Sequence, residues 1–317
     1  VGQGSDWQTA TFTNKNGEKK KGRFRMYAVS LSGDAKEFKL FSSAINSAEE
    51  YCLPQGITSE VEAAAGPYIE VDDPWAFMDG WTSLDDYMNQ LQQLVDWWEK
   101  AIIYAIERGD IDSFYAWVGT IDHLQHVIYG GVDPKSSHFK AQDEEYWMSY
   151  LRKSYQQVDK AIGRILKKLN LEETLIVVVS DHGFSSLESS PYLKLYLQKK
   201  GLITYDIDDN TGTMTVDWSK TKCFPLEPCH AHIFVNLKGR DPQGIVEPED
   251  YEKVQQEIID ILYDWKDPST GERVVDLAIP KQIAGQVGVL NGPGIDRVGD
   301  VLFAVKPRYM DSPFVYQ

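Results

Sequence analysis

IVVVSDHGF, residues 176–184, joins a run of branched aliphatics to a polar tip. With Leu175 just before it, the run reads as a strand apolar on both faces. That pattern belongs to a parallel sheet covered on each side by helices. It stops abruptly at Ser180, Asp181 and His182, and Gly183 permits a sharp turn there. Ligands of parallel sheets gather beyond the carboxyl ends of the strands, so the tip is a natural place for chemistry.

The flanking sequence supports this sheet. SFYAWVG (113–119) reads as a second short strand and runs into TIDHLQHVIYGG (120–131). A helix covering about 141–169 has its apolar stripe at Trp147, Leu151, Tyr155, Val158, Ile162, Ile165 and Leu169, and would serve as the crossover between the two strands. An earlier helix opens with a Ser83/Asp86 capping pattern. It repeats Leu84, Met88, Leu91, Val95, Trp98 and Ile102, and should stop near Gly109. Residues 190–201 form a shorter helix with Pro191 near its start and Gly201 as its stop. A strand at 232–237, a helix at 248–265 and a strand at 300–305 complete the alternation.

The first 82 residues are irregular and β-rich. FRMYAVSL (24–31) and EFKLF (37–41) flank SGDAK as a hairpin, so Ser32 and Asp34 read as turn residues rather than a catalytic pair. The expected fold class is therefore α/β: a mostly parallel central sheet with helices on both faces, decorated by β hairpins. The chain reads as one domain, 1–317, with residues 83–317 as its core.

Composition narrows the partners. Lys and Arg number 32 against 48 Asp and Glu, so the formal charge is 32 − 48 = −16. A nucleic-acid duplex binder needs a basic face, and the one basic run, EKKKGRFR (18–25), reads as a solvated hairpin end. An anionic substrate would be repelled by the overall field and would need local cations or bound metal. Three cysteines (Cys52, Cys223, Cys229) do not make a disulfide framework. No stretch approaches the roughly 20 apolar residues of a membrane span. The chain opens VGQGSDW, without Met and without a signal-peptide pattern. It reads as a soluble chain whose start is processed, clipped or fragmentary and whose compartment is open.

Asp122 and His126 are four residues apart, so a helical turn after strand 113–119 puts both on one face. A carboxylate and an imidazole there make half of a tetrahedral metal site. Asp181 and His182, consecutive at the other strand tip, make a second half. Together they suggest two divalent ions about 4 Å apart, the arrangement that clamps a phosphoryl group. Solvated surface pairs and a metal-free acid/base site are the alternatives. His123, beside Asp122, reads as a residue behind the ligands or facing solvent. CHAH (229–232) offers Cys229, His230 and His232 as another candidate, although an ordinary strand start explains it more simply.

IDHLQHVIYG followed by VVVSDHGF resembles the alkaline phosphatase superfamily, in its type I phosphodiesterase/nucleotide pyrophosphatase branch. HIFVNLKGRDPQGIV (232–246) and GPGIDRVGDVLFAVKP (292–307) look like later blocks of its bacterial members. The resemblance implies Asp122 and His126 on one ion and Asp181 and His182 on the other. Zinc is favoured over manganese by the imidazole content. It further implies a Thr or Ser nucleophile attacking phosphorus in line, and a small phosphate ester such as a nucleotide as substrate. Sulfatase, phosphonate hydrolase and phosphomutase relatives share the same metal-bearing core. The nucleophile segment has no match before residue 110, and the last expected metal-binding His has none before Gln317. Four of six expected ligands are thus identified, as for the C-terminal part of a longer enzyme whose N-terminal portion would be a partner. A non-catalytic scaffold that keeps the fold is the reading from another class.

Overall fold

The computed structural model describes residues 4–13, 16–34, 36–208, 212–226, 232–288 and 298–310. It divides the chain into two units, Val1–Phe184 and Ser185–Gln317.

Unit one starts with antiparallel pairs. β1 (Gln8–Thr13) pairs with β2 (Lys19–Phe24), which pairs in turn with β5 (Asn46–Ser47). The basic run lies on β2, and its three lysines are exposed. β3 (Met26–Leu31) and β4 (Phe38–Ser42) form the expected hairpin. Ser32 Oγ donates to Asp34 Oδ1 at 2.7 Å within its turn, which settles both residues as turn chemistry.

Helices follow: α1 (Ile57–Ala65), α2 (Pro74–Met78), α3 (Leu84–Arg108), α4 (Thr120–Val132) and α5 (Glu144–Leu166). α3 forms where the capping signal puts it. Ser83 Oγ accepts the Asp86 N–H at 3.1 Å, and Asp86 accepts the Ser83 N–H at 3.0 Å. Gly109 ends it at φ 73°, a left-handed conformation that costs glycine little. Leu84, Tyr87, Met88 and Leu91 pack on Leu124 and Ile128 of α4, while Val95 meets Val158 and Ala161 of α5. Each fully buried aliphatic here contributes about 1.5–3 kcal/mol. The packing fixes α4, the helix carrying Asp122 and His126, against α3.

Unit two contains α6 (Leu193–Lys199), the small pair β6 (Tyr205–Ile207) and β7 (Met214–Val216), and α7 (Tyr251–Tyr263). Its main sheet has β8 (Cys223–Pro225), β9 (His232–Val235), β10 (Val275–Pro280) and β11 (Val301–Val305) in the order β10-β11-β9-β8, every pair antiparallel. Leu193, Leu197, Ile233, Val235, Ile258, Leu262, Val275 and Phe303 make one core. Asp300, fully buried at the head of β11, accepts bonds from Arg240, Tyr251 and the Val235 N–H.

The fold is a mixture of helices and sheets, as expected of α/β. The expected central parallel sheet is corrected. Among the described residues the named strands pair only antiparallel, in four small sheets. Residues 113–119 and 174–180 are neither strand nor helix. Leu175, Val177, Val178 and Val179 are 67–87% exposed, and Tyr115 is 92% exposed. The physical reason is that β structure is a pairing. A β-branched run supplies a surface suited to a sheet, but a strand exists only where a partner supplies the other half of the hydrogen bonds.

Candidate metal centre

The site is built from the first two turns of α4 and from the segment that follows residues 174–180. Both belong to unit one. On α4, Asp122 and His126 stand one turn apart, and His126 Nε2 lies 3.4 Å from Asp122 Oδ2. The other carboxylate oxygen, Asp122 Oδ1, is buried and has no hydrogen-bond partner among the described residues. An orphaned buried carboxylate oxygen is costly, and a cation is one of the few groups that satisfies it.

In the second segment, Asp181 Oδ1 accepts the His182 N–H at 3.1 Å, and His182 Nε2 lies 3.6 Å from Asp181 Oδ2. His182 Nδ1 faces the Gly183 carbonyl at 2.9 Å. A proton on Nδ1 satisfies that carbonyl and leaves the Nε2 lone pair beside the carboxylate. The Gly183 carbonyl and, after it, the carboxylates of Asp181 and Asp122 hold the His182 imidazole above its usual pKa. An aromatic ring ties the two segments together. Phe184 packs edge-on against His126, with centroids 4.9 Å apart, and against Tyr129 at 5.1 Å.

The donors suit a divalent ion in type and in spacing. Two ligands of a tetrahedral zinc, each about 2.0–2.1 Å from it, sit about 3.4 Å apart. The Asp122–His126 pair is at 3.4 Å and the Asp181–His182 pair at 3.6 Å. Each pair therefore offers two corners of a coordination shell. Among the described residues, however, no group of three or more His, Cys, Asp or Glu converges on one point.

His123 takes a place that the sequence suggested only loosely. Its Nδ1 lies 2.6 Å from Asp72 Oδ1, and the Tyr87 hydroxyl donates to Asp72 Oδ2. The Asp72 side chain is only 4% exposed. Burial alone would raise its pKa. The bonds from His123 and Tyr87 outweigh burial and hold it below the usual carboxylate value. Asp72 in turn, despite the opposing effect of burial, holds His123 above its ordinary value. Sequence reading missed Asp72 and Tyr87, since nothing in VDDP (71–74) announces a partner 51 residues on.

The CHAH candidate divides. Cys229 and His230 lie outside the described residues. His232 Nδ1 accepts the Gly299 N–H at 2.9 Å, a bond that joins β9 to the approach of β11. Of the other cysteines, Cys52 and Cys223 are free thiols.

The type I phosphodiesterase / nucleotide pyrophosphatase family matches the chain over residues 38–311. The chain belongs to that family. The match spans both half-sites and both units, and it places the chain among phosphoric ester hydrolases at the level of family. Comparison with curated proteins and with solved structures gave no match. No helix among the described residues is long and apolar enough to cross a membrane.

Proposed function

We propose that this chain carries the metal-binding part of a phosphoric ester hydrolase of the alkaline phosphatase type. In this reading Asp122 and His126 hold one divalent ion and Asp181 and His182 hold another, with zinc preferred to manganese by the two imidazoles. Such ions neutralise charge on phosphoryl oxygens and lower the pKa of a bound hydroxyl or water. The substrates are phosphodiesters or nucleotide pyrophosphates. The single observation that supports the reading is the contact between the two segments: Phe184, two residues past His182, packs on His126. A chain with net charge −16 needs local cations to receive such a substrate. The nucleophilic Thr or Ser is assigned to no residue of this chain.

Titration calorimetry with Zn2+ tests the assignment. Wild type should bind the ion, and Asp122→Ala and His182→Ala should each weaken binding at least about 10-fold. Unchanged binding in both variants would remove the assignment. Hydrolysis of a chromogenic phosphodiester with added Zn2+ should be slow or absent; robust turnover would show that the nucleophile lies within these 317 residues. One observation favours the rival reading of a non-catalytic interaction module, namely that no three-ligand group forms among the described residues. That module would bind no ion in the calorimeter.

A further inference from the structure

We propose that Asp72, Tyr87 and His123 form a positioning clamp that sets the first turn of α4 and so aims Asp122 and His126. The proposal rests on the assignment of those two residues as ion ligands, and deepens it.

α4 begins without the usual support. Its N-cap is Gly119, which offers no side-chain hydrogen bond to the orphan N–H groups of the first turn. Thr120 Oγ1, at the first helical position, is buried and has no partner among the described residues. A helix end of this kind frays unless something outside the helix holds it. His123 supplies that hold. It sits one residue after Asp122 and three before His126, and its Nδ1 reaches Asp72 Oδ1 at 2.6 Å. The Asp72 carboxylate cannot swing away, because the hydroxyl of Tyr87, a fully buried residue of α3, donates to its second oxygen. Its backbone is pinned as well. Asp73, next in the chain, caps α2 through Ala76 N–H at 3.1 Å and donates its own N–H to Gln90 of α3 at 3.1 Å.

A second contact reaches the ring from the segment before α4. Trp117 meets the His123 ring edge-on, with centroids 6.0 Å apart. Gly119 makes room for both, since a Cβ there would come within 2.3 Å of the Trp117 ring and 2.9 Å of His123 Nε2. The imidazole is therefore fixed by a hydrogen bond at one edge and by packing at another. A rotation of α4 by even part of a turn would break that bond and would carry Asp122 and His126 off their common direction. The clamp needs only a ring with its proton on Nδ1 and does not depend on a change of charge.

The test uses His123→Ala, His123→Asn and Tyr87→Phe beside Asp122→Ala. The Asn side-chain amide nitrogen occupies roughly the place of Nδ1, so His123→Asn keeps a donor to Asp72. The readouts are Zn2+ affinity by calorimetry and amide hydrogen exchange of residues 120–126 without metal. His123→Ala should raise exchange in that turn and weaken Zn2+ binding by about 10- to 100-fold, the usual size for a residue that orients a ligand. His123→Asn should recover most of the affinity although Asn is the poorer helix former. Tyr87→Phe should fall between the two. Wild-type affinity in His123→Ala, alongside lost affinity in Asp122→Ala, overturns the clamp and spares the ligand assignment. Unchanged exchange at 120–126 also overturns it, as does failure of Asn to restore affinity. Absence of Zn2+ binding by wild type removes the ligand assignment and the clamp's purpose with it.

Discussion

Asp300→Ala should destabilise unit two by about 3 kcal/mol, in the range found when one partner of a buried charged network is deleted. With a urea dependence of about 2 kcal/mol per molar, the denaturation midpoint should fall by about 1.5 M. The side chain is fully buried and is held from several directions at once. Arg240 donates to both carboxylate oxygens at 2.8 Å, the Tyr251 hydroxyl to one at 2.7 Å, and the Val235 N–H to the other at 2.7 Å. Truncation leaves the Val235 N–H and the Tyr251 hydroxyl without their acceptor, and Arg240 with Asp241 as its remaining carboxylate partner. The side chain of Arg240 is about one-third exposed and can partly turn to water, which keeps the loss from being larger. Lys281→Ala makes the contrast. Its Nζ is 3.4 Å from Asp300 and its removal leaves the other partners in place, so it should cost less than about 1 kcal/mol. A loss below about 1 kcal/mol for Asp300→Ala would mean that the network is replaceable by water.

The same carboxylate sets an acid limit. Burial raises its pKa, but the bonds from Arg240, Tyr251 and Val235 more than offset this, so it stays below the value of an unfolded Asp. A depressed folded pKa contributes stability that is complete above the unfolded value, about 3.9, and is lost as pH falls through the folded one. Wild type should therefore lose stability below about pH 4 more steeply than Asp300→Ala, which has no such proton to take up.

What could be read from the chain beforehand depended on how local the physics was. The Ser83/Asp86 capping box, the stop at Gly109 and the Ser32–Asp34 turn each involve residues within a few positions of one another, and each is found. The Asp122–His126 spacing is equally local: a helix forms at 120–132, and the two side chains meet. The strand tips were different. A parallel sheet was expected from the apolar character of 113–119 and 174–180. Character of that sort says what a segment would bury, not what it pairs with. Asp72 and Tyr87 were invisible for the same reason. Their value comes from a ring 51 residues beyond Asp72, brought there by α3 packing on α4. His232 shows the converse: a residue type suited to metals is spent on a backbone N–H that only the fold supplies.

The run at 174–180 carries the other large expectation. TLIVVVS has no charge and no proline, and it is rich in β-branched residues. Among the described residues its backbone makes no hydrogen bond to another backbone group. Val177, Val178 and Val179 are 67%, 76% and 83% exposed. A segment of this composition with free backbone groups is a template for pairing with other chains. Val177 and Val179 lie two apart, so in any strand they would share one face. The double substitution Val177→Lys with Val179→Lys places two charges on that face. At about 50 µM protein, in the range where exposed strand edges drive association, light scattering on warming should fall by about an order of magnitude. The unfolding free energy should change by less than about 0.5 kcal/mol, since exposed side chains lose little on replacement. A destabilisation of several kcal/mol would mean that the valines are buried in solution. Unchanged scattering would move the source of association to another surface. The charges belong on valines upstream of the tip, because the same segment ends in Asp181 and His182, whose N–H···Oδ1 bond the lysines should leave intact. Replacing the same two valines by Gln instead of Lys and measuring Zn2+ affinity separates the two properties of one segment without adding charge: the aliphatic run that seeks a partner strand, and the polar tip that seeks a cation.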